Sequence, residues 1–144
     1  MEACLNGLLR QTLNDRLEIL VIDNASPEKE GVTVKHFQEK HTNIRYVRMD
    51  AQATPGEVWN RGVGESRGKY IVNVNTRDAY RDDAFELLAQ TMEKHDGTGL
   101  AYADCVWTSK SNDHFSSEHS TKEIRYPDYH PGWSLFYPYT ACLP

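Results

Sequence analysis

Long apolar runs are missing from this chain of 144 residues. No stretch approaches the roughly 18 residues that a bilayer-spanning helix needs. The start of the chain has no basic segment followed by an apolar one, which is the mark of a secretory leader. Basic runs are missing as well. Sixteen Lys and Arg stand against 21 Asp and Glu, a net charge of −5, so no general nucleic-acid surface is expected. Cysteine is scarce: Cys4, Cys105 and Cys142 lie far apart, with no C-x-x-C pair. That pattern supports neither a disulfide framework nor a thiol zinc or redox motif. The expectation is a soluble cytoplasmic protein with reduced thiols packed as small hydrophobes. The length suits one domain, and no internal repeat is present.

What is present alternates. Leu5, Leu8, Leu9 and Leu13 recur at helical spacing, so a helix opens the chain. Leu17–Ile22 is a nearly continuous apolar run that suits a parallel strand covered on both faces, and Asp23, Asn24, Ser26 and Pro27 break it. A second helix is expected over 28–40, with Val32, Val34 and Phe37 as its apolar face, then a strand over Ile44–Met49. Thr54-Pro55-Gly56-Glu57 combines a capping box with proline at the first helical position. That helix carries Val58, Trp59 and Val63 and is expected to end near Gly68. Tyr70–Val74 reads as a third strand. A fourth helix is capped by Asp82 or Asp83, faced by Phe85, Leu88, Ala89 and Met92, and ended by Gly97 and Gly99. Leu100–Val106 reads as a fourth strand.

Regular alternation of this kind means an α/β fold with a largely parallel sheet. Ligands of such sheets sit at the carboxyl ends of the strands. The loops of interest are therefore Asp23–Pro27, Asp50–Thr54 and Asn75–Arg81. Residues 108–122 are polar and read as a loop, and 126–144 is a Tyr- and Pro-rich tail without a regular element. The division expected is a core over 1–107 and a loop and tail over 108–144 of the same domain.

Three segments, in order, resemble the family 2 glycosyltransferases, which have the Rossmann-like GT-A fold of nucleotide-diphospho-sugar transferases. LEILVIDNASPE, residues 17–28, resembles the family's strand and acidic turn. WNRGVGESRGKYIVNVN, residues 59–75, resembles its helix and following strand. DAYRDDAFELLAQTME, residues 78–93, resembles the segment after its metal motif. Order and spacing over roughly 90 residues make the joint match specific. The resemblance implies a nucleotide-sugar donor, with a lean to UDP-sugars, and a glycan or other hydroxyl acceptor. It implies transfer with inversion through in-line displacement.

Site residues follow from the same resemblance. Asp23, with Asn24, would meet the nucleotide base, a carboxylate being a good acceptor for an imide N–H; read alone, the two equally form a turn. Asn60 and Arg61 lie on the helix that the family packs beside the nucleotide. Arg61 would approach the diphosphate or remain a solvated arginine. The family's D-x-D metal motif, which shares Mn or Mg with the diphosphate, falls on Asn75-Thr76-Arg77, followed by Asp78. Arg77 stands where a carboxylate is expected. Either Arg77 neutralises the diphosphate directly, or the metal site has decayed and leaves Asp78 as a weak ligand or turn residue. Asp82 and Asp83 read as helix-start residues and Asp104 as structural. The catalytic base is unknown.

The chain also starts inside what is the family's first helix, without the strand and P-x-Y-N turn that precede it there, and stops short of the segment with the base. The expected domain is thus incomplete: a donor-binding half whose sheet a partner chain or a homodimer would complete. A degenerate nucleotide- or sugar-binding module is the alternative function. Other signals are weaker. Gly62-Val63-Gly64-Glu65-Ser66-Arg67-Gly68 closes a helix instead of opening one, so it is no dinucleotide fingerprint. A receiver-type signalling domain lacks its lysine. Asp113, His114, Glu118 and His119 fit no zinc spacing. Tyr126, Tyr129, Trp133, Phe136, Tyr137 and Tyr139 suit aromatic cover of the sheet, sugar stacking or a partner surface.

Overall fold

A computed structural model describes residues 1–28, 30–109 and 120–127. Helix α1 spans Glu2–Leu9, strand β1 Ile19–Asp23, α2 Glu30–Gln38, β2 Ile44–Arg48, α3 Pro55–Glu65, α4 Ala84–Lys94, β3 Cys105–Thr108 and β4 Ser120–Ile124. Strands β1 and β2 pair in parallel, in a register that sets Ile19 beside Ile44 and Asp23 beside Arg48. Ile19 and Ile44 are buried with Leu5 and Leu8 of α1, Val34 of α2 and Phe85 of α4, which makes one core on one face of the pair. Each such side chain removed from water stabilises by about 1.5–3 kcal/mol.

The helices form where the local signals say they should, with shifted ends. Helix α1 stops at Leu9 and the chain turns through a 3₁₀ segment, Asn14–Arg16; Leu13 still packs on the core from outside the helix. In α2, Val34 is fully buried and Phe37 packs against the core, but Val32 is 66% exposed. Two residues on a helix differ by about 200°, so Val32 and Val34 cannot share a face. Helix α3 has the expected capping box: the Glu57 N–H donates to Thr54 Oγ1 at 3.4 Å and the Thr54 N–H donates to Glu57 Oε2 at 2.8 Å. It ends at Glu65, before Gly68, because Ser66 is already extended. Trp59 and Val63 are exposed, and it is Gly62 that lies against Ile22 of β1.

Helix α4 corrects its expected cap. Asp83 holds the cap position without capping, because its carboxylate is taken by Arg81 at 2.6 and 2.9 Å. Gln11, buried between α1 and α4, does the work instead. Its Oε1 accepts the Phe85 N–H at 3.1 Å and its Nε2 donates to the Arg81 carbonyl at 2.6 Å. The Thr12 N–H adds a bond to the Asp82 carbonyl at 2.7 Å. Beyond α4 the chain turns at Gly97, whose φ of +80° only glycine adopts freely.

The sheet differs most from expectation. Tyr70–Val74 and residues 100–104 are not strands: among the described residues neither joins a ladder. A strand exists only where a neighbour takes its backbone groups, and among the described residues β1 pairs with β2 alone. The last expected strand begins at Cys105, and β3 pairs antiparallel with β4, which arises in the segment read as polar loop. The architecture is α/β with a small parallel pair and flanking helices, plus this separate antiparallel pair. Asp104 accepts the Tyr126 N–H at 2.8 Å, and Tyr126 packs edge-on against Tyr102. Asp113, His114, Glu118, His119, Tyr129, Trp133, Phe136, Tyr137, Tyr139 and Cys142 lie outside the described residues. No described helix is long and apolar enough to cross a membrane.

Candidate functional site

The parallel register delivers Asp23 and Arg48 side by side at the carboxyl ends of β1 and β2. The Asp23 side chain is 1% exposed. Its Oδ1 accepts the Ser26 N–H at 2.7 Å. Its Oδ2 accepts both the Tyr46 hydroxyl and an Arg48 N–H in short bonds. Burial pushes the Asp23 carboxyl up, but the bonds from Tyr46, Ser26 and Arg48 outweigh it, and the group titrates below its ordinary range. Tyr46 is displaced the other way: its bond to the carboxylate holds the phenol above its usual value. Gly31 of α2 lies close to the Tyr46 hydroxyl, and a Cβ there would come within 2.9 Å of that oxygen. Ala25, between Asp23 and Ser26, has a φ of 52°, a left-handed geometry that non-glycine residues adopt at a cost.

Asn24 ties this turn to the loop after β2. Its Nδ2 donates to the Ala53 carbonyl at 2.9 Å and its Oδ1 accepts the Ala53 N–H at 2.8 Å. The side-chain amide thereby copies a backbone partner. That loop, with α3, walls a cavity of about 380 Å³ lined by Arg48, Asp50, Gln52, Ala53, Glu57 and Arg61, among others. Arg61 pairs with Glu65 at 2.8 Å. Glu65 in turn joins a half-buried clamp in which Arg45 bonds Glu18 at 2.7 Å and Glu65 at 3.1 Å. The Arg67 N–H closes the clamp on Glu18 at 2.9 Å. The end of α3, and Arg61 with it, is thus fixed to the strand pair. Asn60 is exposed on α3 and does not line the cavity.

Asn75, Arg77 and Asp78 lie elsewhere. Residues 75–78 form a turn closed by the Asp78 N–H to the Asn75 carbonyl at 3.1 Å, and Asn75 Nδ2 donates to Asp78 Oδ2 at 3.1 Å. Asp78 and Thr76 line a second cavity, of about 580 Å³, against Cys4, Asn6, Gly7 and Arg10 of α1 and the residue after it. Cys4 Sγ lies 3.9 Å from the Asn75 carbonyl, and burial raises its thiol pKa, so it is a neutral wall. Arg77 is exposed and has no bonding partner among the described residues. The seven expected site residues therefore divide into one group around β1, β2 and α3 and another on the turn at 75–78.

Donor chemistry at that turn is poor for a cation. It offers one carboxylate, already bonded to Asn75, beside a guanidinium. Among the described residues no three His, Cys, Asp or Glu converge to hold a metal. The residues present do not fit a protein-held divalent ion. Two members of the first group were missed in the sequence, Tyr46 and Arg48. Their signal was the i, i+2 spacing on β2, which puts both on the strand side that meets the end of β1.

The family description "Glycosyl transferase family 2" matches residues 1–140. A Bacillus subtilis protein described as uncharacterized glycosyltransferase EpsJ is 27% identical over 113 residues, 78% of this chain and 31% of that protein. A chondroitin synthase of Escherichia coli is 32% identical over 111 residues, 76% of this chain and 15% of the synthase. A Streptococcus pneumoniae glycosyltransferase, GlyG, is 24% identical over 93 residues, 65% of this chain and 31% of that protein. The chain thus spans about a third or less of the length of these curated relatives. No solved structure matches.

Proposed function

Because this chain belongs to glycosyl transferase family 2, we propose that it holds a nucleotide-diphosphate sugar, UDP-linked by preference, at the carboxyl ends of β1 and β2. The observation that carries this is the convergence of Asp23, Asn24, Arg48 and Arg61 where β1, β2 and α3 meet. Residues 1–107 form the donor-binding core, and 108–144 belong to the same domain. The base end lies by the Asp23–Arg48 pair. The diphosphate runs past Arg61 on α3, beside Asn60, towards the turn with Asn75, Arg77 and Asp78. Guanidinium groups suit phosphate oxygens. Arg77, with no carboxylate among the described residues spending its charge, offsets the negative charge that grows on the leaving diphosphate.

In the transfer itself, an acceptor hydroxyl oxygen forms a bond to the anomeric carbon as the carbon–oxygen bond to the diphosphate breaks. The hydroxyl proton goes to a general base, and the anomeric centre inverts. No described residue is assigned as that base. Members of the family commonly use a divalent cation, which the single carboxylate at 75–78, already bonded to Asn75, does not fit. A second reading, a binding module without catalysis, is favoured by one feature: Arg77 beside a single carboxylate already spent on Asn75.

Thermal melts of the chain with UDP, GDP and their sugar forms, each with manganese and with EDTA, test the donor site. A melt raised by UDP or UDP-sugar to the same extent in EDTA supports diphosphate binding by Arg77. Ligand at a hundredfold excess over Kd adds about 2.7 kcal/mol. A cooperative melt indifferent to every nucleotide overturns the donor reading.

A further inference from the structure

The Asp23 carboxylate is the residue whose chemistry suits a nucleobase, yet it is 1% exposed and carries three bonds, from Tyr46, Arg48 and Ser26. What meets the cavity at this place is the Arg48 side chain, 49% exposed and part of the lining. Of its five N–H groups, one is spent on Asp23 and one on the Ser26 carbonyl. The others have no hydrogen-bond partner among the described residues and remain for a ligand, on a guanidinium locked in place by a buried carboxylate. The cavity wall is balanced in charge, Asp50 and Glu57 against Arg48 and Arg61; with the diphosphate on the Arg61 side, the Arg48 side is left for the base. That side suits a neutral, planar group whose edge accepts hydrogen bonds.

We propose that Arg48 reads the donor's base: its unspent N–H groups donate to a carbonyl oxygen on the base edge, and Asp23 and Tyr46 are positioning residues that aim it. This rests on the donor reading above. Uracil and guanine carry such an oxygen and adenine carries none, so Arg48 selects UDP or GDP over ADP. Lysine would keep a charge on Asp23 but lose the planar fork that bonds both.

The test is calorimetric binding of UDP, GDP and ADP to the full chain and to its Arg48→Ala and Arg48→Lys variants, with a melt of each to establish folding. The wild type is expected to prefer UDP or GDP. Arg48→Ala should weaken the preferred nucleotide by about tenfold or more, as the loss of a charged hydrogen bond does, and leave ADP unchanged. Should alanine at 48 prevent a cooperative melt, Arg48→Lys carries the test, with an intermediate loss expected. Variants that fold and keep both affinity and base preference overturn the role of Arg48 alone, as does tighter binding, which would make Arg48 a cover over Asp23. A wild type that binds no nucleotide overturns the donor reading instead.

Discussion

Gln11 takes up the buried Phe85 N–H at the start of α4 and adds a bond to the Arg81 carbonyl, which also accepts the Ala84 N–H. Removing a side chain while leaving its buried partners in place costs more than the bonds themselves are worth. Gln11→Ala should therefore lower the unfolding free energy by about 2 kcal/mol, read as a lower urea midpoint with an unchanged slope. Asp23 acts through pH. Its carboxyl titrates lower in the folded protein than its ordinary value of about 3.9. The stability it contributes is complete above that value and is lost as pH falls through the folded one. Asp23→Asn should destabilise near neutral pH and flatten the acid limb of the stability curve. The difference between the variant and the wild type should shrink as pH falls through the folded-state value. Urea midpoints between about pH 2 and 7 check this.

Two glycines on helices behave oppositely because their surroundings do. A methyl group at Gly31 of α2 meets the Tyr46 hydroxyl, which is held by Asp23, so relief is possible only by giving up that bond. Gly31→Ala should destabilise by about 1–3 kcal/mol, the usual cost of overpacking, despite its better helix propensity. Gly64 of α3 has open space around it. Gly64→Ala should stabilise by about 0.5–1 kcal/mol, with opposite shifts of the two melting temperatures as the readout. At this scale the sequence was most legible. The capping box of α3 and the leucine spacing of α1 are local, and both are present. The cap of α4 was not legible, because Gln11 lies 74 residues from the group it bonds. Nor was the role of Arg48: the i, i+2 spacing puts it on one side of β2 with Tyr46, but that Asp23 is its neighbour follows only from the parallel register.

At the scale of the molecule, the strands were legible as apolar runs but not as members of a sheet. Leu17–Ile22 and Tyr70–Val74 look alike in sequence, yet only the first finds a ladder partner among the described residues. Hydrophobicity says that a segment can be buried, whereas pairing depends on which other segment arrives beside it. Hydrogen exchange should separate them. Amides of the β1–β2 ladder are expected to exchange near the rate of global opening, and those of Ile71–Val74 orders of magnitude faster. Equal protection in both would mean that 71–74 is paired in solution.

The bond between Gln11 and the start of α4 also has a consequence for synthesis. Chains emerge amino-terminus first at about 5–20 residues per second. Gln11 leaves the ribosome long before Phe85, so roughly 4–15 s of elongation separate the two at that pace. For that interval Leu5 and Leu8, later buried beside Phe85, lack part of their cover. Helix α1 is made well before the helix that fastens it, and any factor that shelters nascent apolar surface has its opportunity there.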